Sequence, residues 1–275
     1  MYILLYIIAT MSLIEDSYYL TDKLIIKDGK AYKLNLHDKL IQINERNWLK
    51  WLGEYGWEKL DNGWIRRMNR YIKKENRSKS PRWGILDCGS NGDCLFEVIA
   101  EAFNQSNYFD PKEVVTDVML ATEIRTAAAD QVDDDNFDLI IESYKAACET
   151  GEFYEAWDPY DIETPKELKA ALRIKGNTQW GDYIMLQLLQ QALNINFIIL
   201  NSEYYGGKTL KERFTIHSSA LGLDPSKKTI ILYYLDDFHF QLIGYFKDDH
   251  LITLFNYDQI PKELMAVYRN DTHLR

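Results

Sequence analysis

Cysteine is scarce in this sequence. Three occur in 275 residues (Cys88, Cys94 and Cys148), an odd number with neither the paired spacing of a zinc site nor that of a redox motif. That argues against a disulfide framework and against a metal site, and points to a reducing compartment, with the cytoplasm as the expected setting. Long apolar runs are also lacking. Met1–Ile14 is apolar but shorter than the ~20 residues that span a bilayer. It has no basic n-region and no small-residue cleavage site, so it reads as a buried strand or helix of a soluble protein without membrane contact. Met11 offers an alternative start. There is no internal repeat and no low-complexity tract, which sets aside solenoids and extended linker arrays. Basic charge is missing from the later part of the chain: residues 81–275 hold 17 Lys/Arg against 32 Asp/Glu, whereas residues 1–80 hold 15 against 10.

What is present suits a packed globule, with 46% hydrophobic and 13% aromatic residues. The charge asymmetry divides the chain. Residues 1–64 read as a small α+β extension, with alternating stretches at Lys23–Ile26 and Ala31–Leu36 and a helical piece around Gln42–Trp51. Its tryptophans Trp48, Trp51, Trp57 and Trp64 form either a core of its own or a recognition face. Residues 65–82 read as a basic linker. Its stretch 66–82 carries eight basic residues and one acid, a connector that could also contact nucleic acid phosphates. Residues 83–248 read as a compact domain, and 249–275 as a tail or edge element. In the compact domain, apolar spacing predicts helices at Leu95–Phe103, Glu113–Gln131, Phe137–Cys148 and Asp182–Leu193, the last capped by Asp182. Apolar β-branched runs predict strands at Ile195–Leu200, Thr229–Leu235 and Phe240–Phe246, separated by turns at Gly206–Gly207 and Asp236–Asp237. Helices first and strands last suggest an α+β fold, a mixed sheet flanked by helices.

The peptide Asp87-Cys88-Gly89-Ser90-Asn91-Gly92-Asp93-Cys94-Leu95-Phe96 carries the chemistry. Its polar, glycine-containing loop can turn sharply and approach a substrate, and an amphipathic helix begins directly after Cys94. A thiol at a helix N-terminus sits at the positive end of the helix dipole, which favours thiolate. Backbone N–H groups around Gly92, Asp93 and Cys94 can face an oxyanion. On this local pattern alone Cys94 reads equally well as a small buried hydrophobe, a common fate of free cysteines. A nucleophilic cysteine needs a base. Of the five histidines (His37, His217, His239, His250 and His273), His239 stands between an acidic turn and an apolar strand, at the mouth of that strand. There it can take the Cys94 proton and return it to a leaving amine.

Three blocks resemble the ovarian-tumour (OTU) family of cysteine proteases. Gly92-Asp93-Cys94-Leu95-Phe96 resembles the nucleophile box, usually Asp-Gly-Asn-Cys-Leu-Phe. Trp180-Gly181-Asp182, with the helix and strand that follow it, resembles the central Trp-Gly block. His239-Phe240-Gln241-Leu242-Ile243 resembles the terminal His-aromatic block. They lie in family order across Trp83–Phe246, and the particular variants look like those of large DNA viruses.

The resemblance implies a papain-type α+β fold with a small mixed or antiparallel sheet. It also implies cofactor-free hydrolysis of the isopeptide bond joining ubiquitin to lysine, with Cys94 as nucleophile and His239 as base. Two departures touch the third catalytic position. Asn91 replaces the aspartate of the nucleophile box, and Gln241 stands where the family often has Asn or Asp. The residue that orients the histidine is therefore open among Asn91, Gln241 and Asp87. The departures also allow an inactive adaptor that binds ubiquitin or polyubiquitin. Between Asp130 and Glu163 stand twelve acids and one base, a surface that would steer a basic face of ubiquitin. Trp180, ahead of a buried helix, is expected in the core.

Overall fold

The computed structural model describes residues 17–19, 24–27, 30–35, 37, 39–78, 80–89, 92–108, 118–203, 209–218, 222–235 and 239–272. Met1–Ile14, Asn91 and the turns at Gly206–Gly207 and Asp236–Asp237 lie outside them. Among the described residues no helix is long and apolar enough to cross a membrane.

Strands β1 (Ser17–Tyr19), β2 (Leu24–Lys27), β3 (Lys30–Leu34) and β4 (Leu40–Gln42) form an antiparallel sheet in sequence order. The larger sheet contains β5 (Trp57–Lys59), β6 (Trp83–Leu86), β7 (Ile195–Ser202), β8 (Phe214–Ser218), β9 (Lys228–Leu235) and β10 (His239–Lys247). Its spatial order is β5-β6-β10-β9-β7-β8, with β11 (His250–Ile252) added to β10 and β12 (Leu254–Phe255) to β9. The β7–β9 pair is parallel and the other pairs are antiparallel, so the architecture is α+β with a mixed sheet, as the sequence suggests.

The sheet is covered on both faces, and the side-chain period of two shows how. Phe197, Ile199, Ile230, Leu232, Phe240 and Leu242 join one core with residues of helices Cys94–Tyr108, Ala121–Asp130 and Tyr183–Leu193. Ile198, Leu200, Ile231, Tyr233, Ile243 and Tyr245 join a second core with helices Asn62–Met68 and Lys262–Thr272. Burial on both sides explains why β7 is buried along its whole length and reads as an unbroken apolar run.

The three strands and the helices led by Leu95, Phe137 and Asp182 form close to where apolar spacing puts them. Of the helix expected over Glu113–Gln131, residues 113–117 lie outside the described residues. Within the described residues it runs from Ala121 to Asp130. Asn104 explains the late start: its amide donates to Met119 O at 3.0 Å and accepts from Met119 N at 2.9 Å. The backbone of Met119 is thus already paired, and Leu120 is extended with its N–H on the Glu123 carboxylate.

The domain boundaries differ from the sequence reading. A division at residue 64 falls inside helix Asn62–Met68, and β5 is a strand of the larger sheet. Trp48 stacks on Phe246 with centroids 5.4 Å apart, Trp57 meets Trp48 edge-on, and Trp64 meets Phe214. These tryptophans are fully or nearly fully buried and close the two main cores. The stretch read as a linker holds buried Arg67, which pairs with Asp271, and buried Met68. Residues 249–275 are likewise more than a tail: Leu264, Val267 and Tyr268 are buried in the second core. Composition separated these parts by charge, whereas burial joins them.

Removing residues 1–64 is therefore expected to abolish soluble folding, because it strips Trp48, Trp57 and Trp64 from the shared cores. Trp48→Ala in the full chain is expected to cost ~3–5 kcal/mol in chemical denaturation. An unchanged unfolding midpoint would show that the tryptophan does not close the core.

Candidate functional site

The site is assembled at the ends of β6 and β10. These strands pair antiparallel with Leu86 opposite Leu242 and Ile85 opposite Ile243. Continuing that register one step sets Asp87 opposite Gln241 and diagonal to His239, all on the same face of the sheet. His239 is the first residue of β10, and its Nε2–H donates to Asp87 Oδ1 at 3.0 Å. Asp87 Oδ1 also accepts from Gly89 N at 3.2 Å, which turns the chain away from β6 toward the Cys94 loop.

Cys94 opens helix Cys94–Tyr108 and is 4% exposed. The carbonyl of Asp93 accepts from Phe96 N and Glu97 N, both at 2.9 Å, so the helix begins at the loop itself. Gly92 adopts φ +85°, and a Cβ added there would stand 2.3 Å from the carbonyl oxygen of Gly176. Both the left-handed backbone and the close approach require glycine. The loop is fastened by Arg125, which is 1% exposed. Its guanidinium binds Asp93 Oδ1 at 2.5 Å through Nη2 and at 3.1 Å through Nε. It also donates to the carbonyls of Leu172, Gln179 and Gly92, and stacks 3.9 Å from the Phe96 ring centre. Asp93 Oδ2 accepts from Gly176 N at 2.9 Å. The Asp93 carboxylate is thus committed to holding the loop. Burial lowers the Arg125 pKa, while the hydrogen bond and charge of Asp93 act the other way.

The electrostatics favour a charged imidazole. The His239 pKa is raised from 6.5 to about 9, first through its hydrogen-bonding interaction with the Cys94 thiol. Partial burial opposes the rise, and the hydrogen bond and charge of Asp87 add to it. With Nε2 occupied by Asp87, Nδ1 is the nitrogen left for the sulfur. Glu97, half-buried one turn into the helix, has its own pKa raised by burial and by the nearby charges of Asp93 and Asp87. Cys88 is set apart chemically: burial pushes its thiol far above the ordinary range, and its sulfur lies 3.6 Å from the Leu86 carbonyl. Cys148 is exposed on another helix.

Among the sequence candidates the structure brings together Cys94, His239, Asp87, Gly92 and Asp93. Gln241 is on the same face as His239, but its buried Oε1 has no hydrogen-bond partner among the described residues. Trp180 departs from expectation. It is half-buried on a loop, its backbone N–H donating to Glu155 and its indole N–H to Asn177 O. The adjacent Gly181 is what packs on the helix, since a Cβ there would stand 2.4 Å from Leu95 Cβ. Arg125 falls within the stretch Glu113–Gln131 that apolar spacing predicts to be a helix. An arginine on the same face as Ile124 and Ala128 is itself the signal, because arginine is rarely buried without a partner.

A scan against protein-family models and a comparison with curated proteins each gave no match. Among solved structures the chain is similar to the OTU domain of OTUD1 at 17% identity and TM-score 0.37, covering 65% of this chain and 93% of that one. It is also similar to an OTU deubiquitinase from Wolbachia pipientis wMel bound to ubiquitin, at 12% identity and TM-score 0.39, covering 59% and 95%. A third similarity is to the viral OTU domain protease from Dera Ghazi Khan virus, at 12% identity and TM-score 0.36, covering 60% and 83%.

Two measurements check this geometry. NMR titration of His239 is expected to give an apparent pKa near the value of about 9, falling in Asp87→Asn and in Cys94→Ala. Because the folded pKa lies above the unfolded one, the interaction stabilises the fold fully below pH ~6.5, and that contribution is lost as pH rises through the folded pKa. Arg125→Met is expected to cost ~3–5 kcal/mol, because it leaves Asp93 partly buried without its cation. A midpoint like that of the parent would remove Arg125 as the fastener.

Proposed function

We propose that this chain is an OTU-type thiol hydrolase that cleaves ubiquitin isopeptide linkages through Cys94, His239 and Asp87. The observation that carries the reading is the placement of His239, its Nε2–H on Asp87 Oδ1 at 3.0 Å, with the thiol of Cys94 at a helix N-terminus raising the pKa of the imidazole. A nucleophile, a base and an acceptor that fixes the base are the three roles that acyl transfer needs. The OTU assignment and the ubiquitin substrate rest on the three sequence blocks that resemble that family.

In the reaction, the Cys94 thiol passes its proton to His239 Nδ1 and the thiolate attacks the isopeptide carbonyl carbon. Backbone N–H groups of Gly92, Asp93 and Cys94 face the oxyanion that forms. The imidazolium returns its proton to the departing lysine Nζ, which leaves as the amine, and a thioester remains on Cys94. Water then gives a proton to His239 and attacks the thioester, releasing the carboxylate of ubiquitin and restoring the thiol. Asp87 keeps Nε2 protonated and steadies the imidazolium without taking its proton. The acidic stretch supports a basic partner. Its carboxylates are exposed apart from Glu155, which is half-buried, and the exposed Leu139, Tyr154 and Tyr160 lie among them.

Diubiquitin cleavage tests the assignment. Cys94→Ala is expected to abolish it, and His239→Ala to lower turnover by roughly 10²–10⁴-fold. Asp87→Asn is expected to lower kcat with KM little changed, as for an interaction used in the transition state. Gln241→Ala and Asn91→Ala are expected to keep most of the activity. Parental turnover in Asp87→Asn with loss in Gln241→Ala would move the orienting role to Gln241. Ubiquitin binding without cleavage by the parental chain would make it an adaptor.

A further inference from the structure

The basic run that the sequence presents as a connector is a folded surface. Residues 66–82 hold eight Lys/Arg and one acid in a chain of net charge −10. Two of the eight have work inside the protein: buried Arg67 pairs with Asp271, and Arg82 pairs with Glu45 at 3.0 Å. Five others, Arg66, Arg70, Lys73, Lys74 and Arg77, are exposed. Among the described residues none of these five has a carboxylate partner. The segment is nevertheless held in shape. Two short 3-10 turns, Asn69–Tyr71 and Lys74–Asn76, make it up, and Arg77 Nη2 donates to Asn69 O at 2.7 Å across them. Buried Met68 anchors one end and buried Trp83 the other. A fixed strip of like charge repels itself until an anion neutralises it.

We propose that this strip binds single-stranded nucleic acid, with Arg66, Arg70, Lys73, Lys74 and Arg77 on the phosphates and Tyr71 as a stacking platform for a base. Tyr71 is 45% exposed in the middle of the basic residues, which is the combination single-strand recognition uses. A duplex fits the strip less well, because two 3-10 turns offer no long helix or ribbon to enter a major groove. An anionic membrane would call for several apolar side chains beside the charge. Instead the other large exposed hydrophobic residues of the described chain begin at Val118, beyond the basic run, and Leu139, Tyr154 and Tyr160 stand in the acidic stretch. RNA and DNA share the chemistry of phosphate and base face, and separate probes distinguish them.

Fluorescence anisotropy on the full chain provides the test, using labelled 20-nucleotide oligo-U and oligo-dT, a duplex of equal length, and phosphatidylserine vesicles. Five phosphate contacts to a single strand predict a log–log salt slope of about −3.5, or roughly 100-fold weaker binding at 200 than at 50 mM salt. The Arg70→Glu/Lys73→Glu/Lys74→Glu variant is expected to bind at least ~30-fold more weakly at 50 mM salt. Tyr71→Ala is expected to lose about tenfold while Tyr71→Phe keeps its affinity. All are expected to retain the parental melting temperature and thiol reactivity. No single-strand binding at 50 mM salt, equal binding by the charge-reversed variant, stronger binding to the duplex, or binding to vesicles alone would each overturn the proposal.

Discussion

The antiparallel pairing of β6 with β10 is the constraint on which the site depends. Its register puts Asp87 diagonal to His239 and starts the loop that returns to Cys94. The same strand β6 also pairs with β5 on its other side, which draws the N-terminal segment and Trp57 into the sheet. A one-residue slip would turn Asp87 and Gln241 to opposite faces of the sheet and break the contact with the imidazole. That register is secured by alternating burial, with Leu86 and Leu242 in one core and Trp83, Ile243 and Tyr245 in the other.

Arg125 provides the second restraint. It binds the loop before Cys94, the end of helix Pro165–Leu172 at Leu172, and the Gln179 carbonyl just ahead of Trp180. The loop at residues 92–93 and the stretch 172–179, about 80 residues later in the chain, thus meet on one buried cation. Such a pair contributes little net stability against an apolar replacement, since both charges must leave water. Its value lies in geometry, because one planar guanidinium holds four acceptors and so fixes the loop that leads into Cys94.

Much of this was legible where the signal is local. Cys94 at a loop–helix junction, His239 at a strand mouth and Asp182 as a cap can each be read from a few neighbouring residues, and the structure puts each at such a position. Asp87 could be named only as one candidate, because its proximity to His239 comes from a strand pairing across 152 residues. The N-terminal tryptophans were misplaced for a similar reason: charge contrast marks a boundary, but Trp48 on Phe246 crosses it. The late start of helix Ala121–Asp130 was hidden because Asn104, which holds Met119, lies a helix away. Trp180 shows the limit of reading size as burial, since its neighbour Gly181 makes the close contact.

The central claim is that the Cys94 thiol alone is activated, by His239 held on Asp87. Peptide mapping by mass spectrometry, after reaction of the full chain with one equivalent of a ubiquitin C-terminal electrophile, tests it most directly. The account predicts a single covalent adduct on Cys94, with Cys88 and Cys148 unmodified. An adduct on either of those cysteines, or none on Cys94, would contradict it.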